Sequence, residues 1–499
     1  MSSLAADAIA SHAAAQPHKL AIYDYGRERG FSYAQLEHLI NDVAADIERR
    51  IGSDCASQRI AVIARNSIEI MAVMYAANRL GAIFLPLNWR LSPHETATLA
   101  ADCEPALTYY QPEFAAQADA IASGIRVEVT DALLTPTQSP VRVSAATSDQ
   151  PLIILYTSGT TGTPKGVVIT TQNALSSSEN FASVAWVNRE SVLLCDNPLF
   201  HTMGLIAISR TTLQVGASLY LSPVFSPDTT LARLSDPKLG ITHYFCVPQM
   251  TQMMRQCDGF DPEALRNLVA LFVGGAPLSP ELAARWQADN IRIINGYGMS
   301  ETGTAIHMEI DDDKGQREKP SSIGKPAPLI DISVRDSEGN EVPDGQVGEA
   351  WLRGPNVSLR YWNHTAAAAD SFRGEWYRSG DAVIRDTEGY YSLVGRFKDM
   401  YISGGENVYP AEIEGVIADM DGVREVAVVG VPDEKWGEIG VAVVQCKPDA
   451  VLDEARIIAR CRERLAHYKA PKRVTFVEDL PRTGSGKVNK VEIRKTLTL

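Results

Sequence analysis

The 499 residues carry 45% apolar and 22% charged side chains and a formal charge of −14 at pH 7, enough chain for roughly two to four domains whose cores need no disulfides. The composition is ordinary for a soluble globular enzyme. The acidic balance argues against a general nucleic-acid binder, whose surface would be basic, while a local cluster of donors can still hold a small anion.

Seven cysteines, at 55, 103, 195, 246, 257, 446 and 461, form no CxxC pair, so the spacing suggests neither a zinc site nor a disulfide framework, and the compartment reads as reducing. The N-terminus lacks a basic region followed by a long apolar run, and no membrane-length apolar stretch follows it. A cytoplasmic protein without a membrane span is therefore expected.

In chain order, Ala-rich residues 3 to 15 read as an amphipathic opening helix. Between 18 and 110, short apolar runs (Ile60 to Ile63, Ala82 to Leu85) alternate with helical patterns (Tyr33 to Arg49, Ser67 to Leu80), which predicts a parallel sheet covered by helices. Residues 131 to 150 are polar, Pro-bearing and aperiodic, a connector. It leads into YTSGTTGTPKGV, from Tyr156 to Val167, framed by the apolar runs LIILY and VVI. Ser/Thr hydroxyls, three glycines, a proline and one lysine cannot build a core. They suit a loop between two short strands whose backbone N–H groups, hydroxyls and Lys165 cradle phosphate. The stretch is not a Walker A loop, because Pro164 stands where the second glycine is needed and Gly166 follows the lysine. The loop is expected to be mobile without its phosphate ligand.

Strands are predicted at Ser191 to Leu194, Ser218 to Leu221, Thr242 to Val247, Ala270 to Val273 and Arg292 to Asn295. Several end on residues suited to function: Pro198 to His201, Val273 to Ala276, and Asn295 to Glu301. Ligands of open parallel sheets bind beyond the carboxyl ends of the strands, so one pocket built from several strand ends is expected. From 320 to 394, short strands broken by SEGN, PDGQ and TEGY indicate a small β subdomain. After Gly395, strands (Val423 to Val429, Val441 to Gln445) mix with helices (Ala411 to Met420, Asp453 to Ala466) in a separate small α+β domain.

The cluster GYGMSETG, Gly296 to Gly303, offers an aromatic surface for a base and, in Glu301, an oxygen ligand for Mg2+. It lacks the third glycine of a dinucleotide fingerprint, and read alone it fits an ordinary turn equally well. YRSGDA places Asp381 after a glycine turn, suited to the paired hydroxyls of a ribose, with Arg396 of GRFKDMYISGGENVYPAEIE in support. PRTGSGKVNK puts Lys487 on a Gly-rich loop.

In this order and spacing the five segments resemble the adenylate-forming superfamily of acyl-CoA synthetases, acyl-adenylating domains and luciferases, over about Phe31 to Lys490. The resemblance implies an α/β fold. Its large N-terminal domain, 1 to 394, has layered, mostly parallel sheets (subdomains of about 1 to 150 and 151 to 319) and a β-barrel-like part (320 to 394). A mobile domain, 395 to 499, turns about a hinge at Lys398. It implies an ATP-dependent ligase that makes acyl-AMP and pyrophosphate and then acyl-CoA and AMP, with ATP, Mg2+ and coenzyme A as its small-molecule partners.

By the same matching Lys487 bridges the carboxylate and the α-phosphate. Thr157, Ser158, Gly159, Thr160, Thr161 and Lys165 hold the outer phosphates, and Glu301 holds the magnesium. Tyr297 stacks on adenine with Gly274, Gly275 and Ala276 along the other face, Thr302 lies near the α-phosphate, and Asp381 and Arg396 meet the ribose. Gly404, Gly405 and Trp436, the last in VPDEKWGE, serve the pantetheine arm after rotation. PLFHTMGLIAIS lacks the acid of amino-acid-activating modules and resembles the CoA ligases, whose histidine, here His201, screens the carboxylate site. The alternative is an adenylating enzyme that loads a carrier protein. Phe181, His201, Met203, Gly204, Val247, Gly274, Asn295, Gly296, Met299 and His307 should line the acyl pocket. Having no lysine or arginine, they disfavour a dicarboxylate and favour an aromatic or medium-chain monocarboxylic acid. His307 either faces the acid or caps its segment. Oligomeric state, a homodimer included, is left open.

Overall fold

The computed structural model describes residues 8–130, 133, 147–157, 164–358, 360–363, 371–404, 406–448, 450–483 and 486–498. Its named strands gather into four sheets. The largest, with nine strands, is built around parallel pairs of Val192–Cys195, Ser218–Leu221, His243–Cys246, Ala270–Val273 and Ile293–Met299. Antiparallel hairpins finish both ends, Leu20–Asp24 with Arg29–Ser32 and Ile293–Met299 with Gly303–His307. A six-stranded sheet runs from Ile125–Glu128 through Leu107–Tyr110, Arg59–Ile63, Ile83–Leu87 and Pro151–Thr157 to Lys165–Thr170.

Strand positions follow the apolar runs to within a residue or two at most ends, because parallel strands covered on both faces must be apolar throughout. Helices start where the sequence supplies a cap. Ser32 with Gln35, Ser92 with Glu95 and Thr170 with Asn173 each form a reciprocal capping box, opening Tyr33–Ile51, Pro93–Cys103 and Thr171–Val184. The opening helix is Ile9–Ala15; the start of its expected span and most of the connector lie outside the described residues. No helix among the described residues is long and apolar enough to cross a membrane.

One expected boundary is corrected. A cut near 150 divides the six-stranded sheet, since Ile153 pairs with Phe84, whereas the N-terminal hairpin leaves that region and pairs with the other sheet through Ile22 and Leu219. Strand partners are chosen by matching free edges and apolar faces, not by proximity in sequence. The β subdomain is a five-stranded antiparallel sheet of Asp331–Arg335, Val347–Arg353, Phe372–Arg373, Trp376–Arg385 and Tyr391–Arg396. Its last strand carries the chain through Gly395 to Arg396, two residues past the expected boundary.

The C-terminal sheet pairs the long strands Val423–Asp433 and Gly437–Cys446 and adds Tyr401–Ser403, Glu406–Val408 and Arg473–Val477. Helices Pro410–Ala418 and Glu454–Arg464 pack over it, with Ile413, Ile417, Ile457 and Cys461 fully buried against Val428, Ala442 and Val444.

Candidate active site

The carboxyl ends of the parallel strands, the edge of the β subdomain and several elements of the C-terminal domain, the loop with Lys487 among them, surround one cleft of about 2380 Å³. That exceeds the roughly 300 to 1,000 Å³ typical of a site for one small molecule, so the cleft has room for two substrates together.

Its nucleotide side starts from the Ile293–Met299 and Gly303–His307 hairpin. A side chain on Gly298 would come within 2.1 Å of the Gly303 carbonyl, and one on Gly303, at φ +58°, within 2.1 Å of Ser177 Oγ. Glycine alone lets this turn close. Beyond it the Tyr297 hydroxyl donates to Asp381 Oδ2 at 2.7 Å, and Arg396 Nε donates to Oδ1 at 2.9 Å. Both oxygens of this buried carboxylate are thereby oriented.

Glu301 is also buried, and it accepts a 2.9 Å hydrogen bond from the Tyr361 hydroxyl. Burial raises its pKa against that bond and against the nearby Arg396 charge. Lys165 Nζ lies 5.3 Å from the Tyr361 ring centroid, so Tyr361 links the expected metal ligand to the expected phosphate lysine. Tyr361 was not among the expected residues. Its sequence signal was weak, an aromatic in YWN after a strand that looked structural.

Lys487 reaches this cleft from the C-terminal domain, close enough to Glu301 and Asp381 for both to raise its pKa, although burial and Arg396 lower it on balance. On the facing wall, His201 is held down to about 4 by burial, with Lys487 and Arg90 adding to the effect, so its imidazole is neutral at pH 7. Lys398 borders the same cleft.

Thr157 and Lys165 border the cleft, while Ser158, Gly159, Thr160 and Thr161 lie outside the described residues, as does the expectation of a mobile loop. Thr302 is corrected: it is fully buried, accepting from Met299 N–H at 3.3 Å and donating to the Gly303 carbonyl at 3.2 Å. It shapes the turn and does not border the cleft. Its hydroxyl follows the glutamate by one residue, and in a tight hairpin neighbouring side chains point to opposite faces.

Phe181, His201, Met203, Val247, Gly274, Gly275, Ala276, Asn295, Gly296, Met299 and His307 all border the cleft. Gly204 does not. It sits in the π-helical segment Met203–Arg210, where a Cβ would lie 2.5 Å from the Pro198 carbonyl, so it permits packing and offers no surface to the acid.

Two aromatic walls were missed. Phe245 stacks on Phe181 with centroids 5.6 Å apart and planes at 10°, and Phe272 meets Phe181 edge-on at 6.1 Å. Phe245 and Phe272 are register partners on adjacent parallel strands. The alternation in HYFC and ALFV was a usable signal, since the third residue of each run falls on the same face.

Gly404 and Trp436 do not border the cleft. Gly404, at φ +62°, lies against the Trp436 ring, and its N–H donates to the Trp436 carbonyl at 2.8 Å. Trp436 is 41% exposed, with Lys435 and Lys472 ammonium groups 5.0 and 5.5 Å from its ring. Gly405 lies outside the described residues. The domain touches the larger one elsewhere through Arg464, 3.7 Å from Glu281. Asp419 lies beside Glu281 there, its pKa raised to about 7 by burial and by that neighbour.

Comparison with known proteins agrees with this arrangement. Residues 9–362 match the AMP-binding enzyme family and residues 412–487 the AMP-binding enzyme C-terminal domain. An indoleacetate–CoA ligase of Aromatoleum aromaticum is 35% identical over 97% of this chain and 96% of its own, and the long-chain-fatty-acid–CoA ligase FadD13 of Mycobacterium tuberculosis is 34% identical over 93% and 92%. ATP-bound MatB from Rhodopseudomonas palustris has a TM-score of 0.88 at 31% identity over 99% of both chains, against 0.78 for the apo form of the same protein. The chain belongs to the AMP-binding enzyme family, the adenylate-forming superfamily of acyl- and aryl-CoA ligases.

Proposed function

We propose that the protein joins an aromatic monocarboxylic acid to coenzyme A in two steps, by way of the acyl-adenylate. The acid's carboxylate attacks the α-phosphorus of ATP and pyrophosphate leaves; the thiol of coenzyme A then attacks the acyl carbon and AMP leaves. The observation that carries this reading is Lys487 facing the same cleft as Glu301 and Asp381. Two anions must approach one another in the first step, and a cation aimed at both supplies the stabilisation.

The other residues divide the work. Asp381, fixed by Tyr297 and Arg396, meets the ribose hydroxyls, and Tyr297 presents its ring to adenine. Lys165 and the loop that precedes it hold the leaving phosphates. Neutral His201 screens the carboxylate site without adding a competing charge.

The donor set suits magnesium: Glu301 is a buried carboxylate bordering the cleft, a hard-oxygen ligand of the kind Mg2+ takes. No protein cluster of three or more metal-ligating side chains occurs among the described residues, and Mg2+ commonly completes its shell with substrate phosphates and water. Bound there, the ion would neutralise charge on the departing pyrophosphate. The scattered cysteine spacing, without a CxxC pair, supports a reducing compartment such as the cytoplasm.

The names of the relatives span an aromatic and a long-chain acid, so the choice rests on the stacked walls of Phe181, Phe245 and Phe272. Flat rings gain from such walls beyond their buried area. A pyrophosphate-release screen over benzoates, cinnamates, arylacetates and C4 to C12 fatty acids, with and without coenzyme A, tests this. The expected result is release with aromatic acids and free thiol consumed with coenzyme A. Preference for the fatty acids would overturn the aromatic reading. Consumption of a carrier-protein thiol in place of coenzyme A would overturn the acceptor.

A further inference from the structure

The polar end of the acyl pocket carries a one-sided hydrogen-bonding group. A side chain on Gly274 would lie 3.0 Å from the Gly296 carbonyl and 3.3 Å from Phe245 Cζ, and one on Gly296 would lie 3.9 Å from His307 Cβ. Gly274 and Gly296 thus lie between the aromatic walls and His307. His307 Nδ1 lies 3.0 Å from the Met308 carbonyl. A carbonyl only accepts, so Nδ1 carries the proton and Nε2 keeps a bare lone pair. Burial lowers the pKa of this histidine to about 4, so the ring stays neutral at pH 7. Nε2 has no hydrogen-bond partner among the described residues, and it is not sealed from solvent; His307 borders the cleft.

We infer that His307 is a specificity-determining residue whose Nε2 accepts a hydrogen bond from a ring N–H or O–H of the acid, so that the enzyme selects aromatic acids bearing such a donor. The inference rests on the aromatic reading above and narrows it. An aromatic acid without a donor covers Nε2 and removes its water without replacing the bond, and a site whose polar group is left unpaired discriminates strongly. Sequence alone left this histidine between facing the acid and capping its segment; the geometry has it do both, with one nitrogen each.

The test compares pairs of acids of nearly equal shape: indole-3-acetate with its N-methyl derivative, and 4-hydroxycinnamate with 4-methoxycinnamate. The measured quantity is kcat/KM for pyrophosphate release at pH 7.5 in the wild type, His307→Leu and His307→Gln. The wild type should favour the donor-bearing member of at least one pair by about tenfold or more. His307→Leu should bring that ratio near one while still using the methylated acid. His307→Gln, which retains an acceptor oxygen, should restore part of the ratio. Equal use of both members of both pairs by the wild type overturns the inference even if no variant folds, and so does a ratio that survives in His307→Leu. Failure of every aromatic acid, with fatty acids accepted, would instead refute the aromatic reading and the inference with it.

Discussion

The two edges of the C-terminal domain differ in where they look and in what they carry. One edge, the loop ending in Lys487, enters the cleft beside Glu301, Asp381 and His201. The other, with Gly404 packed on Trp436 and two lysines beside the ring, stays outside it. The first suits the meeting of two anions, the second a thin arm ending in a thiol. Under the proposed two-step reaction, the two sets of groups would serve the two steps in succession.

Separating the half-reactions would break or sharpen this contrast. Lys487→Ala should lower acyl-AMP formation by about a hundredfold or more yet leave thioester formation from synthetic acyl-AMP nearly unchanged; equal losses in rapid-quench measurements of both steps would erase the distinction between the edges. Lys398→Pro, at the turn between the two domains, should act on the passage between steps, so thioester formation falls more than adenylation. If both rates stayed at wild-type levels, Lys398 would be a plain surface lysine. Trp436→Ala should do the reverse of Lys487→Ala, raising the KM for coenzyme A by about tenfold, the loss of one aromatic contact, with coenzyme-A-free pyrophosphate release intact.

The smallest effect concerns what holds the lysine edge in place. Asp419 is raised from the ordinary 3.8 to about 7 by burial and by Glu281, with Arg464, Arg460, Arg285 and Ser279 also acting on the pair. The docked state thus binds a proton that separated domains release. Between about pH 4 and 7 the contact weakens as pH rises, and above 7 it is independent of pH. Asp419→Asn should flatten the adenylation rate between pH 5.5 and 7.5, a change of about threefold or less for so exposed a contact. An identical pH profile in the variant would show that the proton does not matter to docking.

Much of the site was legible before folding because its chemistry is local. GYGMSETG and the aspartate after YRSG are short runs that stand out through their order along the chain, since GYGMSETG alone fits an ordinary turn as well. Thr302 and Gly204 were misplaced for the converse reason. Each sits inside a motif, and a motif does not say which of its side chains turns inward. Phe245, Phe272 and Tyr361 were passed over as core because an aromatic in a strand or beside one looks alike whether it faces packing or a ligand.

The amino-acid order by itself determined the positions of most predicted strands and helices and the family to which the chain belongs. The strands and helices follow from apolar periodicity, caps and glycine turns, each set within a few residues. Only the tertiary structure decided that the N-terminal hairpin joins the distant sheet, that Lys487 meets Glu301 across more than a hundred residues, and which nitrogen of His307 is free. Those outcomes depend on edges, distances and hydrogen-bond partners that chain order does not encode locally.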